Sequence, residues 1–233
     1  GFGTDWRVDE TLDDLVTWGT LEPHIVVGID NTDDRMAEYA YDVDTQYGGG
    51  DGDIYGRLLV EDIKPFIDKN FRTRCGRADT AVMGSSMGGL ISCDLAMAYP
   101  DVFGRVGCVS SSFWFNERSI VDKMTQYDGS MPLRLWIDGG SKEGGVTNIG
   151  TSGVIADARV FRLAALQHGM IPGQNLGYLE DMGAEHNEWW WSQRLHSILA
   201  FLLSDDDLSQ ETPDRLALQI AWPQIDVGEV TAY

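Results

Sequence analysis

A chain of 233 residues, 43% hydrophobic and 10% aromatic, can bury one sizeable core, which excludes a disordered polypeptide. Its 37 acidic residues (26 Asp, 11 Glu) outnumber 17 basic ones (13 Arg, 4 Lys), for a net charge of −20. Such a field repels phosphate backbones and anionic headgroups, so nucleic acid and membrane surfaces are excluded as partners; it makes a soluble acidic surface and suits salt-rich surroundings.

In chain order, the pattern predicts a helix over residues 10–18, a strand over 24–30 (HIVVGID), a Gly-rich loop over 47–53 and a helix over 54–70. A strand over 80–85 (TAVMGS) and a helix over 87–99, stopped by Pro100, come next, then a strand over 105–110 and a helix over 119–126. The last part reads as a strand over 133–138, a loop over 139–153, a helix over 153–168 closed by Gly169, a strand over 175–181 and a helix over 187–203. Short, continuously apolar runs alternating with longer amphipathic ones predict an α/β fold, with a mostly parallel sheet covered by helices on both faces. Residues 1–204 form the expected domain. Residues 205–233 form an extension expected to pack on it, opening with Asp205, Asp206 and Asp207 and carrying an apolar run at 216–222.

No run of 18 apolar residues suits a bilayer, and the start lacks the basic-then-apolar order of an export signal. Three cysteines, Cys75, Cys93 and Cys108, make neither a disulfide framework nor a metal-type spacing. Cys93 and Cys108 lie in apolar runs and read as small buried hydrophobes.

The sharpest local signal is Gly84-Ser85-Ser86-Met87-Gly88-Gly89, set between an apolar strand and a helix. A strand turning abruptly into a helix needs small flanking residues so that the backbones can approach, and it pushes the corner residue out as a nucleophile. That residue is Ser86. The following amide, of Met87, opens the helix and is placed to receive a developing oxyanion. A serine nucleophile needs a base. His24 opens an apolar run and His168 and His196 lie in helical ones, whereas His186 stands in a loop between the last strand and the last helix. The acid that orients the base should lie between serine and histidine in sequence. Asp138, at the end of LRLWID, and Glu143, in the loop after it, both qualify.

The segments GSSMGGLIS, YPDVFGRVGCVSSSFWF, WIDGGSKEG and GAEHNEWWWSQRL, preceded by VVGIDNTDDRMAEY, together resemble the esterase family that includes esterase D, feruloyl esterases, siderophore esterases and the antigen 85 acyltransferases. The resemblance runs from about residue 2 to residue 203. It implies the α/β-hydrolase fold and a serine carboxylesterase working through an acyl-enzyme, with no metal or organic cofactor, on a small-molecule or carbohydrate-linked ester. It assigns Ser86 as nucleophile, His186 as base and Glu143 as acid, because Glu143 stands where the family carries Asp or Glu in a G-T-x-[DE] loop. It sets Arg35, Glu38 and Tyr39 in the family's R-x-x-E-Y segment beside the site, where a structural ion pair or hydrogen bond is expected ahead of a substrate contact. Phe113, Trp114 and Phe115 and the run 189–191 are candidates for an acyl or aryl pocket, with Trp114, Trp189 and Arg35 as candidate substrate contacts and at least half of the aromatics expected in the core.

The family's earlier strand and its H-D-G-Q-N loop, which supplies a second oxyanion donor, have no counterpart ahead of GFGTDWRVDE. One such donor contributes about 2.7 to 4 kcal/mol to transition-state stabilisation, so the expectation is a chain that is part of a longer one, ahead of the alternative that another backbone amide substitutes. Two alternatives to hydrolysis go with the resemblance: acyl transfer of the antigen 85 type, and a catalytically silent binding relative.

Overall fold

In a computed structural model of the chain, residues 5–129, 131, 133–144 and 153–204 are described. The expected extension at 205–233 and part of the loop over 139–153 lie outside them.

The chain enters through α1 (Val8–Thr17) and passes a short helix, α2 (Arg35–Glu38), and a two-residue ribbon, β1 (Val43–Asp44) with β2 (Gly48–Gly49). It then forms α3 (Gly52–Arg57), a π-helical stretch (Leu58–Ile63) and α4 (Lys64–Asn70). Strand and helix alternate from there: β3 (Ala81–Ser85), α5 (Met87–Ala98), β4 (Arg105–Val109), α6 (Phe115–Gln126), β5 (Arg134–Gly140), α7 (Val154–Gln167), β6 (Leu176–Asp181) and α8 (Glu188–Leu203). β3 to β6 pair in sequence order, all parallel, with Val82 opposite Val106, Gly107 opposite Trp136 and Ile137 opposite Tyr178.

Alternation along the strands splits the core into two layers. Val106, Cys108, Leu135 and Ile137 face one side, where α5, α6 and α7 bury Leu95, Ile120 and Phe161. Val109 and Trp136 face the other, where α1 and α8 supply Leu12, Leu15, Leu195, Ile198 and Leu202. Phe113 stacks on Phe161 at 4.2 Å between centroids. Each fully buried Phe or Leu contributes about 1.5–3 kcal/mol, so these two layers carry most of the stability. Cys93 and Cys108 are buried with free thiols, as their apolar surroundings predict.

Two expectations change. Residues 24–30 do not form a strand, and among the described residues their backbone makes no backbone hydrogen bond. A strand exists through its partner, and here His24, Ile25, Val27 and Ile29 instead line one wall of a cleft of about 710 Å³ whose other wall is the outer edge of β3. Ile25 and Val26 are half exposed as a result. The helix expected over 54–70 runs without a break from Gly52 to Asn70, but its middle, Leu58–Ile63, is π-helical. Pro65 has no N–H to give to the turn before it, and that turn is the π-helical one. α6 is regular only from Ser119, the expected start, because Asn116, Glu117 and Arg118 have left-handed backbone.

Candidate active site

In a parallel sheet every strand ends on the same edge, and the loops that leave that edge converge. Ser86 leaves β3, Ser110 leaves β4, Glu143 follows β5 and His186 follows β6. Four side chains far apart in sequence are therefore brought to one rim.

Ser86 has φ 57° and ψ −125°, a conformation that a residue with a Cβ holds only under strain. The strain comes from the sharp turn between β3 and α5. At Gly84 a Cβ would lie 2.5 Å from the carbonyl oxygen of Gly88, so only glycine lets the strand cross the helix start this closely. The backbone of Ser86 is pinned on both sides, donating to Val109 O at 3.0 Å and accepting from the Ser112 amide at 3.0 Å. Among the described residues the Met87 amide has no backbone acceptor, so the donor that opens α5 is unused.

The loop after β5 is knitted to the loop after β6. Ser141 N donates to Asp181 O and Lys142 N to Ala184 O, both at 2.9 Å, and Gly183 N donates to Ser141 Oγ at 2.7 Å. At Gly140 a Cβ would sit 2.4 Å from Ala184 O and 2.6 Å from Glu143 Oε1, so glycine is what lets the Glu143 carboxylate fold back on the strand end. Glu143 Oε1 accepts from the Gly140 amide at 2.9 Å and from Ser110 Oγ at 2.8 Å, which leaves Oε2 for His186 Nδ1 at 3.0 Å. The Glu143 side chain has no exposed surface; that of His186 is 35% exposed. The imidazole also meets Trp191 edge-on at 5.0 Å, and the next residue, Asn187, caps α8 by accepting from Trp190 N. His186 is thereby held from three directions, with Nε2 free of any hydrogen bond among the described residues.

Ser86 Oγ is 3.3 Å from Ser112 Oγ, and no hydrogen bond joins it to His186 in this conformation. The serine, imidazole and carboxylate share a rim, but only the imidazole and carboxylate touch. Hydrogen bonds of this kind are often open before a substrate arrives.

Asp138, the other acid, is not at the rim. β5 runs on to Gly140, so Asp138 lies inside the strand, fully buried, and accepts from Trp136 Nε1 at 2.8 Å and from the Ser110 amide at 3.0 Å. Burial pushes its carboxyl above the ordinary range, against the opposing pull of Arg194 and these hydrogen bonds. No hydrogen bond or ion pair joins it to His186.

The remaining candidates divide. Phe113 and Phe115 are core residues and Trp191 is buried, while Trp114 and Trp189 are 38% and 49% exposed. Trp114 packs edge-on against Tyr47 at 5.1 Å and Trp189 against Trp190 at 4.7 Å. Arg35 lies over the Tyr39 ring at 5.1 Å, and both line the cleft beside β3, which Ser86, Glu143 and His186 do not. Glu38 does not pair with Arg35; it accepts from the Thr32 amide and hydroxyl at 3.0 and 2.7 Å, a local structural role. Among the described residues no cluster of three or more His, Cys, Asp or Glu could hold a metal ion.

Sequence reasoning did not single out Ser110, Ser112 or Arg194. The first two belong to a run of three serines buried between β4 and the aromatic segment. Arg194 lies in the apolar stripe of α8, three residues after Trp191 and four before Ile198.

A family model described as "Putative esterase" matches residues 1–202. The chain belongs to this esterase family. Among its relatives are YbbA of Bacillus subtilis, an uncharacterized protein 27% identical over 143 residues, and an endo-1,4-beta-xylanase/feruloyl esterase of Xylanibacter ruminicola, 29% identical over 131 residues. These matches take in 58% and 53% of this esterase-family chain but only 56% and 17% of the two relatives. The fold is also that of the BES protein of Bacillus cereus (TM-score 0.65, 16% identity, 84% of this chain and 76% of that one). It is likewise that of an enterochelin esterase of Shigella flexneri (TM-score 0.64, 18% identity, 81% and 45%). At these identities the likeness establishes an α/β-hydrolase-type fold.

Proposed function

We propose that this esterase-family protein hydrolyses carboxylic esters through an acyl-enzyme, with Ser86 as nucleophile, His186 as general base and Glu143 as the acid behind the base. The observation that carries the reading is the 3.0 Å contact of buried Glu143 Oε2 with His186 Nδ1, at the sheet edge where Ser86 stands in a strained corner. Glu143 fixes the imidazole's tautomer and stabilises its protonated form. His186 Nε2 takes the Ser86 proton, the alkoxide adds to the ester carbonyl, and the Met87 amide donates to the oxyanion. The protonated imidazole then gives its proton to the leaving alcohol. Water, deprotonated by His186, releases the acid by the reverse sequence.

Substrate class follows from the rim and the charge. Exposed Trp114 and Trp189 offer flat apolar surface to an acyl or aryl group, and a net charge of −20 disfavours polyanions. Both features suit a neutral aryl or short acyl ester, in line with a relative named as a feruloyl esterase.

The test is steady-state turnover of a short-chain p-nitrophenyl ester by the full-length protein, repeated with methanol present. The expected result is saturable release of nitrophenol with free acid as the main product. Methyl ester as the main product at low methanol would indicate acyl transfer instead, and no turnover above buffer would contradict the proposal.

A further inference from the structure

Two carboxylates without exposed surface, Asp138 and Glu143, share the space behind His186 with one guanidinium, that of Arg194, whose side chain is 2% exposed. Arg194 comes from the face of α8 that covers the sheet, where an unpaired charge would be costly. Its Nη2 is 3.1 Å from Asp138 Oδ1, donates to Ser110 Oγ at 2.7 Å and stands 3.6 Å from Glu143 Oε1. Its Nη1 reaches Asp181 Oδ2 at 3.3 Å. Ser110, itself at φ 43°, passes the contact on by donating its hydroxyl to Glu143 Oε1 at 2.8 Å.

The charged groups in contact with Arg194 are thus Asp138, Glu143 and Asp181, and Glu143 in turn meets His186; Lys142, Glu185 and Glu188 are the charged residues beside Glu143 and His186 in the chain. Asp138 makes the closer ion pair with Arg194, so the charge of Glu143 is left for the imidazole. Without the guanidinium, two buried carboxylates would face each other. Like charges at short range in a dry site cannot both stay ionised near neutral pH, and the pair would hold a proton. A Glu143 that is protonated part of the time no longer stabilises an imidazolium.

We propose that Arg194 is a positioning residue: by compensating the charge of Asp138, and by holding Glu143 through the Ser110 hydroxyl, it keeps Glu143 ionised and turned toward His186. The proposal rests on the reading of Glu143 as the partner of His186.

The test compares pH profiles of kcat for the wild type, Arg194→Met, and Arg194→Met combined with Asp138→Asn. Arg194→Met is expected to lose roughly 10- to 100-fold in kcat, by analogy with the groups that orient the ligands of metal sites, with KM nearly unchanged. Its acid limb should move to higher pH, because the carboxylate pair now keeps a proton that must leave before Glu143 can act. Removing the second carboxylate as well should return the limb to its wild-type position and bring kcat to within about tenfold of wild type. A folded Arg194→Met protein with wild-type kcat and limb would overturn the proposal, as would a double variant no better than the single one. If Arg194→Met does not fold, the double variant carries the test: kcat near wild type supports charge compensation, and a loss well beyond tenfold overturns it. His186→Ala and Glu143→Gln, run alongside, separate the two levels. If these keep wild-type turnover, the reading of the site fails; if they lose it while Arg194→Met does not, only the role of Arg194 fails.

Discussion

Replacing Ser86 by Ala is expected to lower kcat for ester hydrolysis by about 10⁶-fold, the scale on which serine hydrolases lose turnover when the nucleophile is deleted. Among the described residues of the rim, Ser86 alone combines a partly exposed side chain, a strained backbone and an unused amide, that of Met87, at the adjacent helix start. Ser112, whose hydroxyl lies 3.3 Å away, is the nearest substitute, but it lacks the corner geometry and should not rescue the variant. The measurement is single-turnover and steady-state hydrolysis of a p-nitrophenyl ester, with the thermal melt showing that the fold persists. Residual activity within about tenfold of wild type would move the nucleophile elsewhere.

Glu143→Gln is expected to lower kcat by about 10⁴-fold with little change in KM, the effect of an amide that stabilises the wrong imidazole tautomer. Asp138→Asn should behave differently. It leaves the Glu143–His186 contact in place and breaks the ion pair with Arg194, so its main effect falls on stability. Loss of one partner of a buried pair costs about 3–5 kcal/mol, readable as a lower denaturation midpoint, while kcat of the folded protein falls less than about tenfold. The reverse ranking in kcat would make Asp138 the acid.

The contrast between these two carboxylates also marks where the sequence is legible and where it is not. The four parallel strands lie within a residue or two of the apolar runs that predict them, because a strand buried on both faces needs side chains apolar throughout. Ser86 and His186 stand out locally, one by a glycine-flanked corner and the other by its place between a strand and a helix cap. The residues alone could not decide between Asp138 and Glu143, since Gly139 and Gly140 read as strand breakers. In the sheet they continue β5 opposite Glu180 and Asp181, which puts Asp138 inside and Glu143 at the mouth. The resemblance favours Glu143, the acid that contacts His186.

Other features depend on contacts that no short window carries. The run at 24–30 has the composition of a strand, but whether it pairs depends on what lies beside it, and beside it is a cleft. Arg194 is one charge in an amphipathic stripe, and its meaning depends on two acids some fifty residues earlier in the chain. A buried position in an apolar stripe is a usable signal, because it obliges the arginine to have an anionic partner.

The most direct measurement of the central claim is peptide mapping by mass spectrometry after reaction with a fluorophosphonate, which forms a stable phosphonyl adduct on an activated serine. The account predicts a single adduct, on the peptide containing Ser86, formed by the wild type and strongly slowed in His186→Ala. An adduct on another serine, or none on a folded wild-type protein, would contradict it.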